Sequence, residues 1–79
     1  MIKIYPKKNL VKIQLNKQLY SIEAVRETAD KFTRVARSQI DLKDQININL
    51  YPKEKGNLKI IGYEFSNYVL GLMKNKTMI

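Results

Sequence analysis

The sequence contains no cysteine, no histidine and no tryptophan among its 79 residues. The absence of cysteine excludes disulfides and a thiol nucleophile, and the absence of histidine as well excludes the usual zinc ligand sets. Histidine is also the commonest general base at neutral pH, so the most frequent proton-transfer group of enzymes is missing. We therefore expect a protein that is not an enzyme, works by binding a partner, and requires no metal or other cofactor.

Proline and glycine are scarce as well, with two and three residues, and long apolar runs are absent. The longest apolar clusters, Ile60-Ile61 and Val69-Leu70, fall far short of the roughly 20 residues that span a bilayer. The first residues also lack the apolar stretch of a signal peptide. We expect a single small domain over residues 1–79, a cytoplasmic location and no membrane partner.

Acidic residues are few, with seven against 15 basic ones, which gives a formal net charge of +8. The excess lies towards the two ends of the chain, because residues 21–44 hold five acids and five bases. Such a surface favours an acidic partner or a nucleic acid, although lysines also serve simply as solubilising surface residues. The candidate nucleic-acid-binding residues are Lys3, Lys7, Lys8, Lys12 and Lys17.

Tyrosines near these lysines would supply rings on which bases can stack, namely Tyr5, Tyr20 and Tyr51. Two features argue against nucleic-acid binding. The outward residues of the predicted strands are polar rather than aromatic, and lysine outnumbers arginine by 12 to 3, whereas base readout favours arginine. A small basic RNA-binding protein is therefore the alternative function.

Two stretches near the N-terminus alternate between apolar and other residues. Ile2 and Ile4 alternate with Lys3 and Tyr5 until Pro6, which predicts a short edge strand. Residues 10–16 predict a stronger strand with one buried face. Its apolar positions are Val11, Ile13 and Leu15.

Residues 21 to about 37 are predicted to form an amphipathic helix. Ser21 is a suitable N-cap, because its hydroxyl can accept a hydrogen bond from a free backbone N–H of the first turn. Apolar residues then recur at three- and four-residue intervals and predict one continuous stripe. The stripe consists of Ile22, Val25, Ala29, Phe32 and Ala36. Arg34 and Arg37 would suit the negative end of this helix.

The carboxylates do not form a recognisable catalytic pair. Glu23, Glu27 and Asp30 fall on one side of the predicted helix, but Lys31 and Arg34 lie beside them. This pattern is typical of a solvated, ion-paired helix surface rather than an acid–base site.

Residues 38–51 predict a β-hairpin with one buried face. Ile40 and Leu42 alternate with polar residues, Lys43-Asp44 reads as a turn, and apolar residues then recur at every second position. These later positions are Ile46, Ile48 and Leu50.

The last segment shows helical spacing. Its apolar stripe consists of Leu58, Ile61, Phe65, Tyr68 or Val69, and Leu72. Gly62 and Gly71 lie within the segment and each weaken a helix by about 1 kcal/mol relative to alanine. A short strand at residues 58–62 followed by a helix from Glu64 therefore remains an open alternative.

The predicted order of elements is β-α-β-β-α, with an extra strand before the first. It favours an α+β fold in which a small antiparallel or mixed sheet carries both helices on one face. This arrangement resembles a ferredoxin-like unit without its last strand. Such a sheet has one uncovered face and one open edge, and the strand at residues 45–51 is a candidate for pairing with an added strand.

Four segments carry a resemblance to a known family. They are Leu19-Tyr20-Ser21-Ile22-Glu23-Ala24-Val25, Ala29-Asp30-Lys31-Phe32-Thr33, Ile46-Asn47-Ile48-Asn49-Leu50 with Tyr51-Pro52-Lys53, and Phe65-Ser66-Asn67-Tyr68-Val69-Leu70. Their order resembles the HxsD family of the His-Xaa-Ser peptide-modification systems. Members typically show a Tyr-Ser-x-Glu-Ala opening, a helix ending in Phe-Thr, a strand and a Phe-x-Asn-x-x-Leu helix. The resemblance covers roughly residues 10–74.

The chain departs from the family where the last motif usually continues with an acidic residue and Leu-Arg. Here Gly71-Leu72-Met73-Lys74 follows without an acid, so its partners can differ. The resemblance implies an accessory protein encoded beside radical-S-adenosylmethionine enzymes that modify a ribosomally made peptide. We expect it to bind the precursor peptide or such an enzyme, and a homodimer is also an open alternative.

The residues that carry this resemblance, or lie near it, are the candidate partner-binding residues. Exposed aromatic and methionine side chains are effective contact residues, and the last segment holds more of them than one small core needs. The candidates are Tyr63, Phe65, Asn67, Tyr68 and Lys74. Phe65 also fits the core stripe of the last helix.

Overall fold

The computed structural model describes the backbone of residues 1–77 and the side chains of residues 1–74. Its elements follow the order β-β-α-β-β-α, so the predicted α+β fold with an extra first strand is confirmed. The strands are β1 (Ile2–Tyr5), β2 (Leu10–Leu15), β3 (Ala36–Leu42) and β4 (Ile46–Pro52). The helices are α1 (Ile22–Lys31) and α2 (Leu58–Thr77).

The four strands form one sheet in the order β1-β2-β4-β3, and all three pairings are antiparallel. The predicted hairpin is present as β3 and β4, and its second strand lies in the middle of the sheet. The expectation that residues 45–51 form an open edge is therefore wrong, because β2 pairs with one side of β4 and β3 with the other. Strands β1 and β3 occupy the two edges instead.

The strand β1 closes the side of the sheet that a truncated unit would leave open. A turn of 3-10 helix (Pro6–Lys8) and Asn9 return the chain from β1 to β2. Asn9 has a φ of 48°, in the left-handed region that asparagine tolerates better than most residues. Its side-chain amide donates to the carbonyl of Pro52 at 2.9 Å, which fastens this connection to the end of β4.

The core lies between one face of the sheet and the two helices. Alternate residues of β2 and β4 are fully or almost fully buried on this face, as the strand periodicity predicts. They are Val11, Ile13, Leu15, Ile46, Ile48 and Leu50. Ala24 and Val25 of α1 and Phe65 and Val69 of α2 pack against them in one cluster.

Helix α1 begins where the sequence predicts and ends earlier. The Ser21 hydroxyl accepts from the backbone N–H of Ala24 at 3.2 Å, which confirms the N-cap. The helix ends at Lys31, so the prediction that it continues to Arg37 is wrong. Ala36 and Arg37 belong to β3 and pair with Pro52 and Tyr51 instead.

Helix α2 begins at Leu58, which decides the open alternative at residues 58–62 in favour of helix. The side chain of Asn57 accepts from the backbone N–H of Ile60 at 3.2 Å and caps the first turn. Gly62 lies buried against the sheet. A Cβ at this position would lie 3.0 Å from Ile2 Cγ2 and 3.1 Å from Val11 Cγ1, so the missing side chain permits close contact with β1 and β2. Within the described part of the chain, no helix has both the length and the apolar character needed to cross a membrane.

Candidate binding surfaces

Three of the five candidate partner-binding residues share the outward side of α2. Tyr63, Asn67 and Lys74 are exposed and follow helical spacing of four and seven residues, so they lie one above another on the helix. Leu70 lies on the same line, three residues after Asn67. This side of α2 points away from the buried residues Phe65 and Val69, which are two positions out of phase with Tyr63 and Asn67.

The outward side of α2 is unusually apolar for a surface helix. Ile60, Tyr63 and Leu70 retain 49%, 52% and 39% of their accessible surface. The ammonium of Lys59 lies 6.0 Å from the centre of the Tyr63 ring. A surface helix normally carries polar residues opposite its core-facing stripe. We call Ile60, Tyr63, Asn67, Leu70 and Lys74 the outer stripe.

Tyr68 lies apart from the outer stripe, beside the end of α1. Its ring makes an edge-to-face contact with Phe32, with the ring centres 6.0 Å apart. An open groove of about 530 Å³ runs here, and Asn67 forms part of its wall. The groove is lined by Phe32, Glu64, Asn67, Tyr68, Gly71 and Leu72. Tyr68 is 38% exposed, so part of its side chain is packed and part is available for contact.

Phe65 is the candidate that the structure removes from the surface. Its side chain is fully buried, and its ring centre lies 5.2 Å from that of Phe32 in an edge-to-face contact. A residue in this position cannot touch a partner in the folded state. Phe65 is therefore a core residue that supports the helix on which Tyr63 and Asn67 are presented.

A second candidate surface is the sheet face that the described helices leave uncovered. Lys3 and Lys12 are directly opposite each other on neighbouring strands and are both exposed there. The Lys12 ammonium lies 5.7 Å from the Tyr5 ring centre, and the Arg37 guanidinium lies 4.3 Å from that of Tyr51. We call this surface the open face. Its side chains are those of Lys3, Tyr5, Leu10, Lys12, Gln14, Arg37, Gln39, Asp41, Asn47, Asn49 and Tyr51.

Leu10 shows how the aromatic end of the open face is built. It is only 6% exposed but lies outside the core cluster, and it pairs with Tyr5. Continuing the β2–β4 register by one residue places it beside Tyr51 as well. Leu10 is therefore a buried apolar residue between the two tyrosines, and the Arg37 guanidinium lies over the Tyr51 ring.

A shallow depression of about 390 Å³ adjoins this aromatic end. Lys3, Lys12, Asn47 and Asn49 lie along it, and Asp41 supplies one acidic group. The remaining predicted nucleic-acid-binding lysines lie elsewhere. Lys7 and Lys8 are exposed in the turn after β1, and Lys17 donates to the carbonyl of Lys43 at 3.0 Å.

The side chains that share the open face could not be predicted from the sequence, because the register of a sheet depends on pairing between distant segments. Tyr5, Tyr51 and Arg37 lie in three different strands, and pairing brings them to one side. The alternation of Tyr5 with Ile2 and Ile4 was the available signal, since it places the tyrosine on the uncovered face once β1 joins the sheet. Arg37 could not be found this way while it was predicted to lie in a helix.

The carboxylates of the described residues lie on the surface. Glu23, Glu27 and Asp30 are exposed on α1, and the Asp41 carboxylate lies 3.8 Å from the Lys43 ammonium. Among the described residues, no group of three or more acidic, histidine or cysteine side chains could hold a metal ion. These positions suit solvation and weak ion pairing.

Comparisons of the chain with protein-family models, with curated proteins and with solved structures found no match.

Proposed function

We propose that this chain is a non-enzymatic, cytoplasmic accessory protein that binds a precursor peptide or a radical-S-adenosylmethionine modifying enzyme during peptide maturation. The resemblance of roughly residues 10–74 to the HxsD family suggests this role. The observation that supports it is the outer stripe, which exposes Ile60, Tyr63 and Leu70 on the side of α2 opposite the core. An apolar helix side is a common way to contact another protein.

The outer stripe has the features of a small contact surface. Tyr63 supplies a large ring with a polar hydroxyl, which is the kind of side chain that often dominates binding energy. Asn67 offers an amide between two apolar neighbours, and Lys59 and Lys74 add positive charge near its ends. Phe65 and Val69 anchor the opposite side of the helix in the core, so the surface is presented on a rigid element.

The test is co-purification with the products of neighbouring genes, followed by titration with the precursor peptide or enzyme that is recovered. We expect Tyr63→Ala combined with Leu70→Ala to weaken binding by about tenfold or more, because contact residues of this kind are often worth more than 1 kcal/mol. Val35→Ala is a control for the loss of exposed apolar surface, since Val35 is 45% exposed and lies between α1 and β3, away from α2. Unchanged binding by the double variant would show that the outer stripe is not the contact.

A second candidate function, binding of single-stranded RNA, is favoured by the open face. The polar composition of the strands argued against it, but Tyr5 and Tyr51 lie on the same face as Lys3, Lys12 and Arg37. Tyrosine rings can stack on bases while lysine and arginine neutralise phosphates. Two lysines held directly opposite each other raise the local positive potential that such a ligand requires.

Fluorescence anisotropy with a labelled 12-nucleotide single-stranded RNA tests this candidate at low and physiological salt. We expect Lys3→Ala with Lys12→Ala to reduce affinity and to flatten its salt dependence, because fewer counterions are released. Tyr5→Ala with Tyr51→Ala should weaken binding at all salt concentrations. Lys17→Ala with Lys55→Ala is the control, because it removes the same two positive charges from exposed loop residues outside the strands of the open face. No anisotropy change at low salt with the unmodified chain would exclude this function.

A further inference from the structure

The strand β3 offers the longer of the two edges of the sheet. It has seven residues, whereas β1 has four. It contains no proline, which is a common device for preventing an edge from pairing, and no glycine, which would weaken the strand. Val35, the residue before this strand, and Leu42, its last residue, are 45% and 42% exposed. An edge of this length and composition can pair with another strand.

The hydrogen-bond phase of β3 shows which backbone groups point outward. The N–H of Lys53 donates to the carbonyl of Val35 at 2.9 Å, and Pro52, which has no N–H, lies opposite Ala36. Hydrogen-bonded and non-hydrogen-bonded pairs alternate along an antiparallel ladder. The odd-numbered residues of β3 therefore bond to β4, and the even-numbered residues direct their backbone groups away from the sheet.

Ser38 and Ile40 are at the centre of this outward row. Ala36 also points outward, but its N–H already donates to the carbonyl of Phe32 at 2.9 Å. A strand added to this edge would thus gain its main hydrogen bonds from Ser38 and Ile40.

The side chains of β3 are complementary to those of a second β3 strand running in the opposite direction. Arg37 lies two residues before Gln39 and Asp41 two residues after it. An antiparallel pair centred on Gln39 therefore places Arg37 opposite the partner's Asp41, and the symmetry repeats this contact. These charged pairs fall at non-hydrogen-bonded positions, where opposite side chains are closest.

The other side of β3 is complementary in size. Its residues alternate with the charged ones, and Leu42 is 42% exposed whereas Ala36 is fully buried. In the register centred on Gln39, Leu42 lies opposite the partner's Ala36, whose short side chain is already covered by its own chain, so no second large side chain competes for this position. Pairing in this way would cover exposed apolar surface at both ends of the strand.

We propose that two copies of this chain associate through antiparallel pairing of β3 with the partner's β3, centred on Gln39, to form one continuous sheet. Registers centred on Arg37 or on Asp41 put like charges opposite each other and shorten the pairing, so the register centred on Gln39 is preferred. The proposal is independent of the outer stripe and of the accessory function.

Sedimentation equilibrium over a range of protein concentrations tests the dimer directly. We expect Arg37→Asp and Asp41→Arg, made singly, to raise the dimer dissociation constant by about tenfold or more, because each change turns two attractive pairs into repulsive ones. The double variant Arg37→Asp with Asp41→Arg restores opposite charges in the same register. It should therefore recover the affinity of the unmodified chain.

Circular dichroism melts establish that each variant is folded, and Tyr63→Ala with Leu70→Ala should leave the dimer unchanged. A chain that stays monomeric up to about 1 mM overturns the proposal. So does a dimer that is indifferent to the single charge reversals, or one that the double reversal fails to restore. If the reversals alter binding of a foreign peptide while the chain remains monomeric, the edge serves another partner and self-association is wrong.

Discussion

At the scale of single residues, two glycines of one helix have opposite roles. Gly62 faces the sheet, and a Cβ there would lie within 3.0–3.1 Å of Ile2 and Val11. Gly71 has open space, with nothing within 4 Å of an added Cβ. Both glycines lie within the predicted helical segment, and both were expected to weaken the helix because glycine has a low helix propensity. The packing shows that one of them is required by the approach of α2 to the sheet.

We therefore predict that Gly62→Ala destabilises the protein. Val11 is fully buried in a strand paired on both sides, so it cannot move away from the added methyl group. Overpacking typically costs about 1–3 kcal/mol, which exceeds the gain of roughly 1 kcal/mol in helix propensity. The expected loss in the free energy of unfolding is about 1 kcal/mol, measured by urea denaturation.

The same substitution at Gly71 is the matched control. Gly71→Ala gains the helix propensity without a clash, so we expect it to stabilise the protein by up to about 1 kcal/mol. If Gly62→Ala were as stable as Gly71→Ala, Ile2 and Val11 would have to accommodate the methyl group, and the close-packing role of Gly62 would be rejected.

Phe65 illustrates what a residue pattern can and cannot predict. The sequence placed it both in the core stripe of α2 and among the residues that carry the family resemblance. Its burial beside Phe32 favours the first interpretation. Apolar spacing predicts core positions well because burial is the main constraint on them. A proposed contact residue such as Tyr63 has no comparable periodic signal.

At the scale of whole elements, the boundary between α1 and β3 could not be predicted from periodicity. Ala36 continues the helical stripe four residues after Phe32, but it also begins the alternation of β3 with Ser38 and Ile40. Both periods fit the same residue. Ala36 belongs to the strand because it pairs with Pro52, which lies 16 residues further along the sequence. Local spacing contains no information about such a partner.

The short strand β1 gives the second prediction. Ile2 and Ile4 are half-buried against the core, whereas Lys3 lies exposed on the opposite face. We expect Ile2→Ala and Ile4→Ala each to lower the free energy of unfolding by about 1–2 kcal/mol, less than a fully buried site would lose. Lys3→Ala, in the same strand, should leave stability unchanged or slightly raised, because it removes a like-charge contact with Lys12.

Urea denaturation of the three variants separates two roles for β1. Equal effects of Ile2→Ala and Lys3→Ala would mean that β1 contributes through backbone pairing alone. A larger loss for the isoleucine variants would establish it as a packed layer of the core. The strand was predicted from alternation, but its position beside β2 was not, because sheet order depends on contacts between distant segments.

At the scale of the whole molecule, the three surfaces lie on different sides. The outer stripe lies on the side of α2 that faces away from the sheet. The open face is the surface of the sheet opposite the helices, and the β3 strand forms one edge of the sheet. Arg37 belongs to both the open face and this edge, so pairing of two β3 strands would join two open faces into one longer surface. Partner binding through α2 would remain compatible with either.

The last prediction concerns the like-charged pair on the β1 side of the open face. Lys3 lies directly opposite Lys12 in a chain of net charge +8, an arrangement that costs stability through repulsion. Lys3→Glu replaces it by an attractive pair. We expect the free energy of unfolding to rise by about 0.5 kcal/mol at low salt and by less at high salt, where exposed charges are screened. The same variant should bind single-stranded RNA more weakly if the open face binds RNA. Higher stability of Lys3→Glu together with lower affinity for RNA would mean that the repulsion between Lys3 and Lys12 is retained because it serves an anionic ligand. Higher stability with no RNA binding by the variant or the unmodified chain would mean that the two lysines are an ordinary surface feature.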